Sequence, residues 1–367
     1  MRMLLFTGKG GVGKTTLAAA TAARLAVGGH KVFVVSADPA HSLGDVFGVP
    51  VSADPSEVDT CLYAAHVDAR GLADRSWQAI RREIRGFLPG LSDVDAAELT
   101  VLPGVDELLA LTEVARLAAD GPWEVVVVDC GPTAETLRLL ALPEAIGGYL
   151  ERLSVGRHLA DRVGALRDVL VDPARTSVRL VLTPERIVVA ETRRTLAALA
   201  LRGVRVDSLV VNRLVPKAGR WRGPAASWLR VRRAEQEAVL SELDASMTLP
   251  LRRVEHRAAE PVGVRSLLGL ADELYGETDP LEGAGPYATP LLSVRSAPGG
   301  YELTVTLPLT DESTVELARV GDELSVTVDG VRRLVALPVL LRRHEVTDAT
   351  TGPDGLVVRF EAGGSPA

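Results

Sequence analysis

Gly8-Lys9-Gly10-Gly11-Val12-Gly13-Lys14-Thr15 carries the strongest chemical signal in the chain. It satisfies G-x-x-x-x-G-K-[ST], a loop whose backbone N–H groups close around phosphate oxygens. The helix expected to follow adds partial positive charge at its N-terminus. Lys14 is placed to pair with the β- and γ-phosphates of a nucleoside triphosphate, and the Thr15 hydroxyl to ligate Mg²⁺. Thr16 joins the phosphate-binding set. The second lysine, Lys9, has no obvious task within one subunit, because Lys14 already serves that position. A solvated lysine is the alternative.

Two carboxylates follow where phosphate transfer needs them. Asp38 opens Asp38-Pro39-Ala40-His41-Ser42-Leu43 directly after an apolar run. An acid at such a strand end can orient or deprotonate the attacking water; a strand-ending Asp-Pro turn is the other reading of that spacing. Ser42 is a candidate to complete the Mg²⁺ shell. Val125–Val128 closed by Asp129 has the Walker B form, so Asp129 is expected to hold Mg²⁺ through water or, alternatively, to act as a cap. Cys130-Gly131-Pro132-Thr133 would then sense the γ-phosphate.

These residues need a scaffold that brings several strand ends to one edge. Residues 3–7 (MLLFT) read as a buried strand, Thr15–Val27 as an alanine-rich helix closed by Gly28-Gly29, and Lys31–Ser36 (KVFVVS) as a second buried strand. Continuous β-branched runs, there and in Val125–Val128, Val178–Leu182 and Ser208–Val211, indicate parallel strands covered on both faces. With helical stretches between them they predict an α/β fold, a doubly wound, mostly parallel sheet of the P-loop NTPase kind. Asp68–Phe87 and Asp106–Ala119 read as a helical insertion over about residues 66–120. Residues 276–290 are rich in Gly, Pro and acids and read as a linker. Beyond it, residues 301–307, 323–328, 334–337 and 356–360 alternate in polarity, and Asp329-Gly330 marks a hairpin. The expected division is an ATPase domain at 1–275 and an all-β sandwich at 291–361.

Composition sets the outer limits. A chain of 367 residues, 47 % hydrophobic and 24 % charged, can bury substantial cores without covalent staples. Its 41 basic and 48 acidic residues leave a net charge of −7, which argues against coating nucleic acid. The two cysteines, Cys61 and Cys130, exclude a disulfide framework and suit a reducing cytoplasm. Mean hydropathy is +0.16, yet no run approaches the ~18 apolar residues of a membrane span, and Met1–Phe6 is too short for a signal sequence. Arg220-Trp221-Arg222 and Trp228–Arg233 form a basic, aromatic patch. It either touches nucleic acid or an anionic membrane surface, or is a solvated helix start with arginine stems on the indoles.

GKGGVGKT (8–15), DPAHSLGDVF (38–47), PGVDELLAL (103–111) and DCGPTAETLRLLALP (129–143) occur in order with TPE (183–185), ET (191–192), VVNRL (210–214) and EPVG (260–263). Together they resemble the arsenite-pump ATPase and guided-entry tail-anchored-protein targeting ATPase family over about residues 1–275. The resemblance implies a homodimer that hydrolyses ATP with Mg²⁺. It implies that Lys9 reaches across to the partner's nucleotide, that Asp38 is the catalytic carboxylate of a first switch, and that Asp129 opens a second. Asn212 matches an adenine-recognising asparagine, and an amide can both donate to and accept from the adenine edge. Glu185 of TPE matches a further nucleotide-site acid.

The tail, YELTVTLP (301–308), GDELSVTVDG (321–330), RRLVALPVLLRR (332–343) and GLVVRF (355–360), resembles the small heat-shock (α-crystallin-like) sandwich appended to some bacterial members. It implies protein interaction or client handling, or else a dimerisation or edge-capping module. Departures from the family narrow this. Lys217–Glu237, where targeting members carry a zinc-binding CxxC, lacks cysteine, so no zinc is expected. Cys61 and Cys130 do not have the metalloid arrangement, and Cys130 and Glu135 stand where Thr and His are common. Three methionines, none of them in the insertion, weaken the case for a Met-rich client groove. Leu88, Leu91, Leu102, Leu108, Leu109 and Leu111 line either an apolar groove or a helix–helix core. The expectation is a cytoplasmic, dimeric ATP switch coupled to a protein client or membrane-protein partner. The alternatives are a nucleotide-gated scaffold with negligible turnover and, behind it, a metalloid-efflux subunit.

Overall fold

The computed structural model describes residues 1–38, 42–67, 105–132, 156–220, 222–246, 249–282, 292–307, 313–352 and 355–362. The first unit runs β1 (Arg2–Gly8), α1 (Lys14–Val27), β2 (Val32–Ser36), α2 (Leu43–Phe47), β3 (Ser56–Asp59), β4 (Leu62–His66), α3 (Val105–Asp120) and β5 (Val125–Pro132). It continues through α4 (Gly156–Val171), β6 (Thr176–Leu182), α5 (Arg186–Leu201), β7 (Val206–Leu214), α6 (Pro224–Ser246), β8 (Leu251–Glu255) and α7 (Val264–Tyr275). The strands form one sheet in the order β3-β4-β2-β5-β1-β6-β7-β8, parallel throughout except for β3. This is the doubly wound arrangement that the apolar runs predict.

Those runs are continuous because each face of the sheet has its own core. Met3, Leu5, Phe33, Val35, Val126 and Val128 point to a face covered by α3, α4, α5 and α6. Leu4, Phe6, Val32, Val34, Val125 and Val127 point to the opposite face, under α1 and α7. Alternating residues of one strand are therefore all buried, each large one contributing roughly 1.5–3 kcal/mol. Strands β3, β4 and β8 escape the sequence reading: β3 is a polar edge strand, β4 is a mixed run, and β8 (LRRVE) carries two arginines on the other edge.

Of the expected helical insertion, α3 is helical from Val105, and residues 68–104 lie outside the described residues, with Asp68–Phe87, Leu88, Leu91 and Leu102 among them. Only the helical backbone of Leu108 and Leu109 is described. Leu111 is buried with Val114 and Leu117 in the sheet's first core, which is the core reading for that leucine. Among the described residues no helix is long and apolar enough to cross a membrane.

One charged pair lies inside the first unit. Arg179 of β6, 1 % exposed, pairs with Asp207 of β7 at 3.2 Å and donates to the Tyr275 hydroxyl of α7 at 2.6 Å. Thr21 of α1 meets the same hydroxyl at 2.7 Å. Arg179 also donates to the Pro280 carbonyl, and Leu281 packs on the second core. The first residues of the 276–290 stretch thus lie against the sheet.

The second unit comprises β9 (Leu292–Ala297), β10 (Gly300–Thr306), β11 (Val315–Val320), β12 (Glu323–Val328), β13 (Val331–Ala336), β14 (His344–Gly352) and β15 (Gly355–Ala362). They make antiparallel sheets β14-β15-β10-β9 and β11-β12-β13. Asp329 and Gly330, at φ 49° and 81°, turn β12 into β13 as the pair predicts. Leu303, Val305, Leu324, Val326, Val358 and Phe360 fill the space between the sheets, and Ala197 and Leu201 of α5 complete that core. The sandwich is seated on the C-terminal end of α5, where Arg333 donates to the Leu201 carbonyl.

Asp207→Ala leaves the Arg179 guanidinium buried without its counter-charge and is expected to lower the unfolding free energy by about 3–5 kcal/mol. Replacing both, Arg179→Met with Asp207→Leu, is expected to cost less than the single change. Urea denaturation of the two variants checks this, and a double variant as unstable as the single one would refute it.

Candidate active site

β1 ends between two neighbours. Gly8 is level with Pro132 of β5 and Val181 of β6, and a Cβ at this position would lie 2.1 Å from the Val181 carbonyl oxygen. The glycine lets β1 stay paired on both sides up to the loop, at the point where the strand order reverses and α/β sheets bind ligands. Gly11 and Gly13 take left-handed φ values of 79° and 94°. Gly13 starts α1 with no side-chain cap, and the first turn contains no acid, so the positive end of the helix remains for an anion. Lys14 is buried, and its ammonium donates back to the Lys9 carbonyl at 3.4 Å, spanning the loop. Val12 is buried in the second core, while Gly10 and Gly11 are exposed and Thr16 is half-buried.

The metal candidates Thr15, Ser42 and Asp129 come together. Asp129, fully buried in the second half of β5, accepts from the Thr15 hydroxyl at 2.8 Å and from Ser36 at 3.0 Å, both through Oδ2. Ser42 donates to Thr15 Oγ1 at 3.2 Å. The other Asp129 oxygen, Oδ1, is buried with no hydrogen-bond partner among the described residues. Burial pushes the Asp129 carboxyl up from the ordinary 3.8 to about 6, against the downward pull of the Thr15 and Ser36 hydrogen bonds and of Lys14. Ser36 also accepts from the Asp38 backbone N–H at 3.2 Å, tying the residue after β2 to the same carboxylate. Sequence reasoning passed over Ser36; its signal is a polar residue closing an otherwise apolar strand. Cys130 is buried beside Asp129, and desolvation raises its thiol pKa, which keeps it neutral. Pro39–His41 and residues 133–155, Glu135 included, lie outside the described residues.

The remaining candidates divide. Asn212 at the end of β7 reaches the loop: its amide donates to the Val12 carbonyl at 2.8 Å, and a Cβ on Gly13 would come within 2.4 Å of it. The amide oxygen accepts from Arg213 N at 2.8 Å, with Arg213 in the left-handed region at φ 60°. Among the described residues, one N–H and one lone pair of Asn212 stay uncommitted. Glu185, at the N-terminal boundary of α5, is engaged by Arg232 of α6 at 3.2 Å. Lys9 is half-exposed and pairs with Glu191 of α5 at 3.3 Å. In the sequence Glu191 stands out only as part of the ET dipeptide. In the basic patch, Arg232 and Arg233 are paired with Glu185, Glu235, Glu237 and Glu255, while Trp228 is 63 % exposed. Much of the patch's charge is thus balanced within the chain.

Because folding raises the Asp129 pKa, the native state binds this proton more tightly than the unfolded state. Burial therefore costs stability above pH 6, and the cost disappears as pH falls below about 4. In metal- and nucleotide-free protein, Asp129→Asn is expected to be more stable than wild type at pH 7.5 by up to about 3 kcal/mol, the equivalent of the shift. The gap should close as pH falls from about 6 toward 4. Urea titrations across that range measure it, and a pH-independent difference would contradict it.

Comparison with known proteins agrees with this geometry. The anion-transporting ATPase family profile matches residues 1–161 and 157–276, and that of the HSP20-like domain found in ArsA matches residues 298–360. Protein Rv2184c of Mycobacterium tuberculosis is 40 % identical over 98 % of this chain and 96 % of its own length. A Prosthecochloris vibrioformis protein named "Putative arsenical pump-driving ATPase" is 32 % identical over the same shares. The arsenical pump-driving ATPase of Escherichia coli is 33 % identical over 74 % of this chain but only 49 % of its own length. With the family profile spanning the whole sheet unit that builds the phosphate loop, the chain belongs to the anion-transporting ATPase family and is an ATPase followed by an HSP20-like domain.

Proposed function

We propose that the chain is a Mg²⁺-dependent ATPase working in the cytoplasm as a homodimeric nucleotide switch. ATP closes two copies on each other, hydrolysis opens them, and the HSP20-like sandwich handles a protein client or membrane-protein partner. The observation that carries this reading is Asp129: a fully buried carboxylate with one oxygen held by Thr15 and Ser36 and the other unpartnered among the described residues. Such an oxygen costs stability unless something binds it. Two hydroxyls and a carboxylate are the hard oxygen donors that Mg²⁺ prefers, so Thr15, Ser42 and Asp129 fit the ion. Held by these residues, Mg²⁺ would supply positive charge to offset the charge of the phosphates.

The chain's own residues do the rest. Loop N–H groups and the α1 terminus hold the phosphates, and Lys14 brings a fixed, desolvated charge to the β/γ position. Asp38 accepts the proton of the attacking water as its oxygen bonds to the γ-phosphorus and the bond to the bridging oxygen breaks. That proton then passes to the released phosphate. Hydrolysis changes what Asp38 faces, and the link from its N–H through Ser36 to Asp129 carries the change to both switches. Lys9 crosses to the partner's nucleotide, Asn212 offers its uncommitted N–H and lone pair to adenine, and Pro132 closes the γ-phosphate side.

Protein clients suit the chain better than metalloid. By strand register Cys61 stands at one end of the sheet and Cys130 toward the other, roughly 20 Å apart along the strands, so one ion cannot bridge them.

Asp38→Asn is expected to lower kcat by about 10²–10⁴-fold, the range of general-base catalysis, and to leave the affinity for Mg·ATP within a few-fold. Lys14→Ala is expected to lose nucleotide affinity as well. Steady-state phosphate release with equilibrium binding of a fluorescent ATP analogue separates the two, and wild-type turnover in Asp38→Asn would remove Asp38 from the mechanism.

A further inference from the structure

Lys9 is engaged within its own chain. Its ammonium lies 3.3 Å from Glu191 Oε2 of the same chain. Glu191 is in the second turn of α5, and with Val188, Thr192 and Thr195 it faces Gly8 and Lys9 across a narrow cleft. That helix is fixed along its length. Val188, Val189, Leu196 and Leu199 are buried in the sheet's first core, and Ala197 and Leu201 in the core of the sandwich. Glu191 is therefore presented to the phosphate loop by an element that moves only by unpacking two cores, whereas Lys9 sits on the loop itself. The side chains are 44 % and 36 % exposed, so the pair is weak and easily broken, worth a factor of up to about five in an equilibrium.

We propose that Glu191 is a positioning residue, a latch that parks Lys9 in its own subunit and so sets how readily ATP closes the dimer. This rests on the reading that Lys9 serves the nucleotide of the second copy. In this proposal the reach to the partner's phosphate carries the ammonium out of its 3.3 Å contact with Glu191, so the two positions compete for it. Each closing event breaks two latches, one per copy. Removing the carboxylate removes that competition.

Sedimentation velocity with Mg²⁺ and a non-hydrolysable ATP analogue tests this on wild type, Glu191→Gln, Glu191→Asp, Lys9→Ala and the double variant of Lys9→Ala with Glu191→Gln. Loss of both latches is expected to tighten nucleotide-dependent association of Glu191→Gln by up to about 25-fold, the square of the single-pair factor. Glu191→Asp should restore part of the latch. High salt should bring wild type and Glu191→Gln together, because screening opens the latch in wild type and Glu191→Gln has none to open. The double variant should match Lys9→Ala, since nothing is left to hold. If Lys9→Ala is impaired while Glu191→Gln associates like wild type, the latch is overturned and the reading of Lys9 stands. Wild-type association and turnover in Lys9→Ala would overturn both. A gain from Glu191→Gln that persists without Lys9 would place the effect in α5 itself and also overturn the latch.

Discussion

The carboxylate of Asp129, removed from water in the second half of β5, is the constraint on which the nucleotide end of the molecule depends. Its burial is unfavourable in itself, as the raised pKa records, and the surrounding residues are arranged to offset it. Strand register supplies the partners: Asp129 is level with Ser36 of β2 on one side and Phe6 of β1 on the other. The loop that leaves β1 then delivers Thr15 from the start of α1. Two hydroxyls from two elements meet one oxygen, and through Ser36 the backbone of Asp38 is drawn to the same point. The phosphate loop, the residues that follow β2, and β5 therefore share one hydrogen-bonded centre.

That centre is only as rigid as the sheet beneath it. Having a core on each face makes every residue of the inner strands buried, so a slip in register would break packing on both sides at once. The alanines of α1 let the helix lie close on β1, which holds the phosphate loop at the strand end rather than above it. At the opposite side of α1, the network of Arg179, Asp207, Tyr275 and Thr21 locks α7 and the start of the connecting segment to the same helix. α5 has a second duty: one part flanks the phosphate loop and its last turns complete the core of the HSP20-like sandwich. The two units share a helix as well as a covalent tether.

How much of this was legible in the sequence varied with burial. The inner strands announced themselves, because a strand covered on both faces must be apolar at every position. The outer elements did not. β3 alternates polar residues at an edge, and β8 presents arginines whose partners come from α6, α7 and the residues just after α7. In the sandwich, β10, β12 and β15 showed alternation, whereas β9 and β14 are largely exposed and carry little pattern. Among the site residues, those in contiguous motifs were found. Ser36 and Glu191 were not given roles, because each acts through a partner far away in the chain.

Local chemistry determined the phosphate loop. Positive φ at Gly11 and Gly13, an uncapped helix start and a lysine beside it are properties of neighbouring residues, so residues 8–16 encode them without help. The order of apolar runs likewise determined a parallel sheet, and the alternating tail a sandwich. Only the tertiary structure decided which side chains meet. Asn212 reaches Val12 across 200 residues of sequence, Glu185 turns to Arg232, and Lys9 is held by Glu191. It also decided that Asp129 would keep one oxygen unpartnered among the described residues. Hydrogen bonds and ion pairs act over about 3 Å, and which distant atoms come that close depends on strand order and helix placement, which no single stretch of sequence contains.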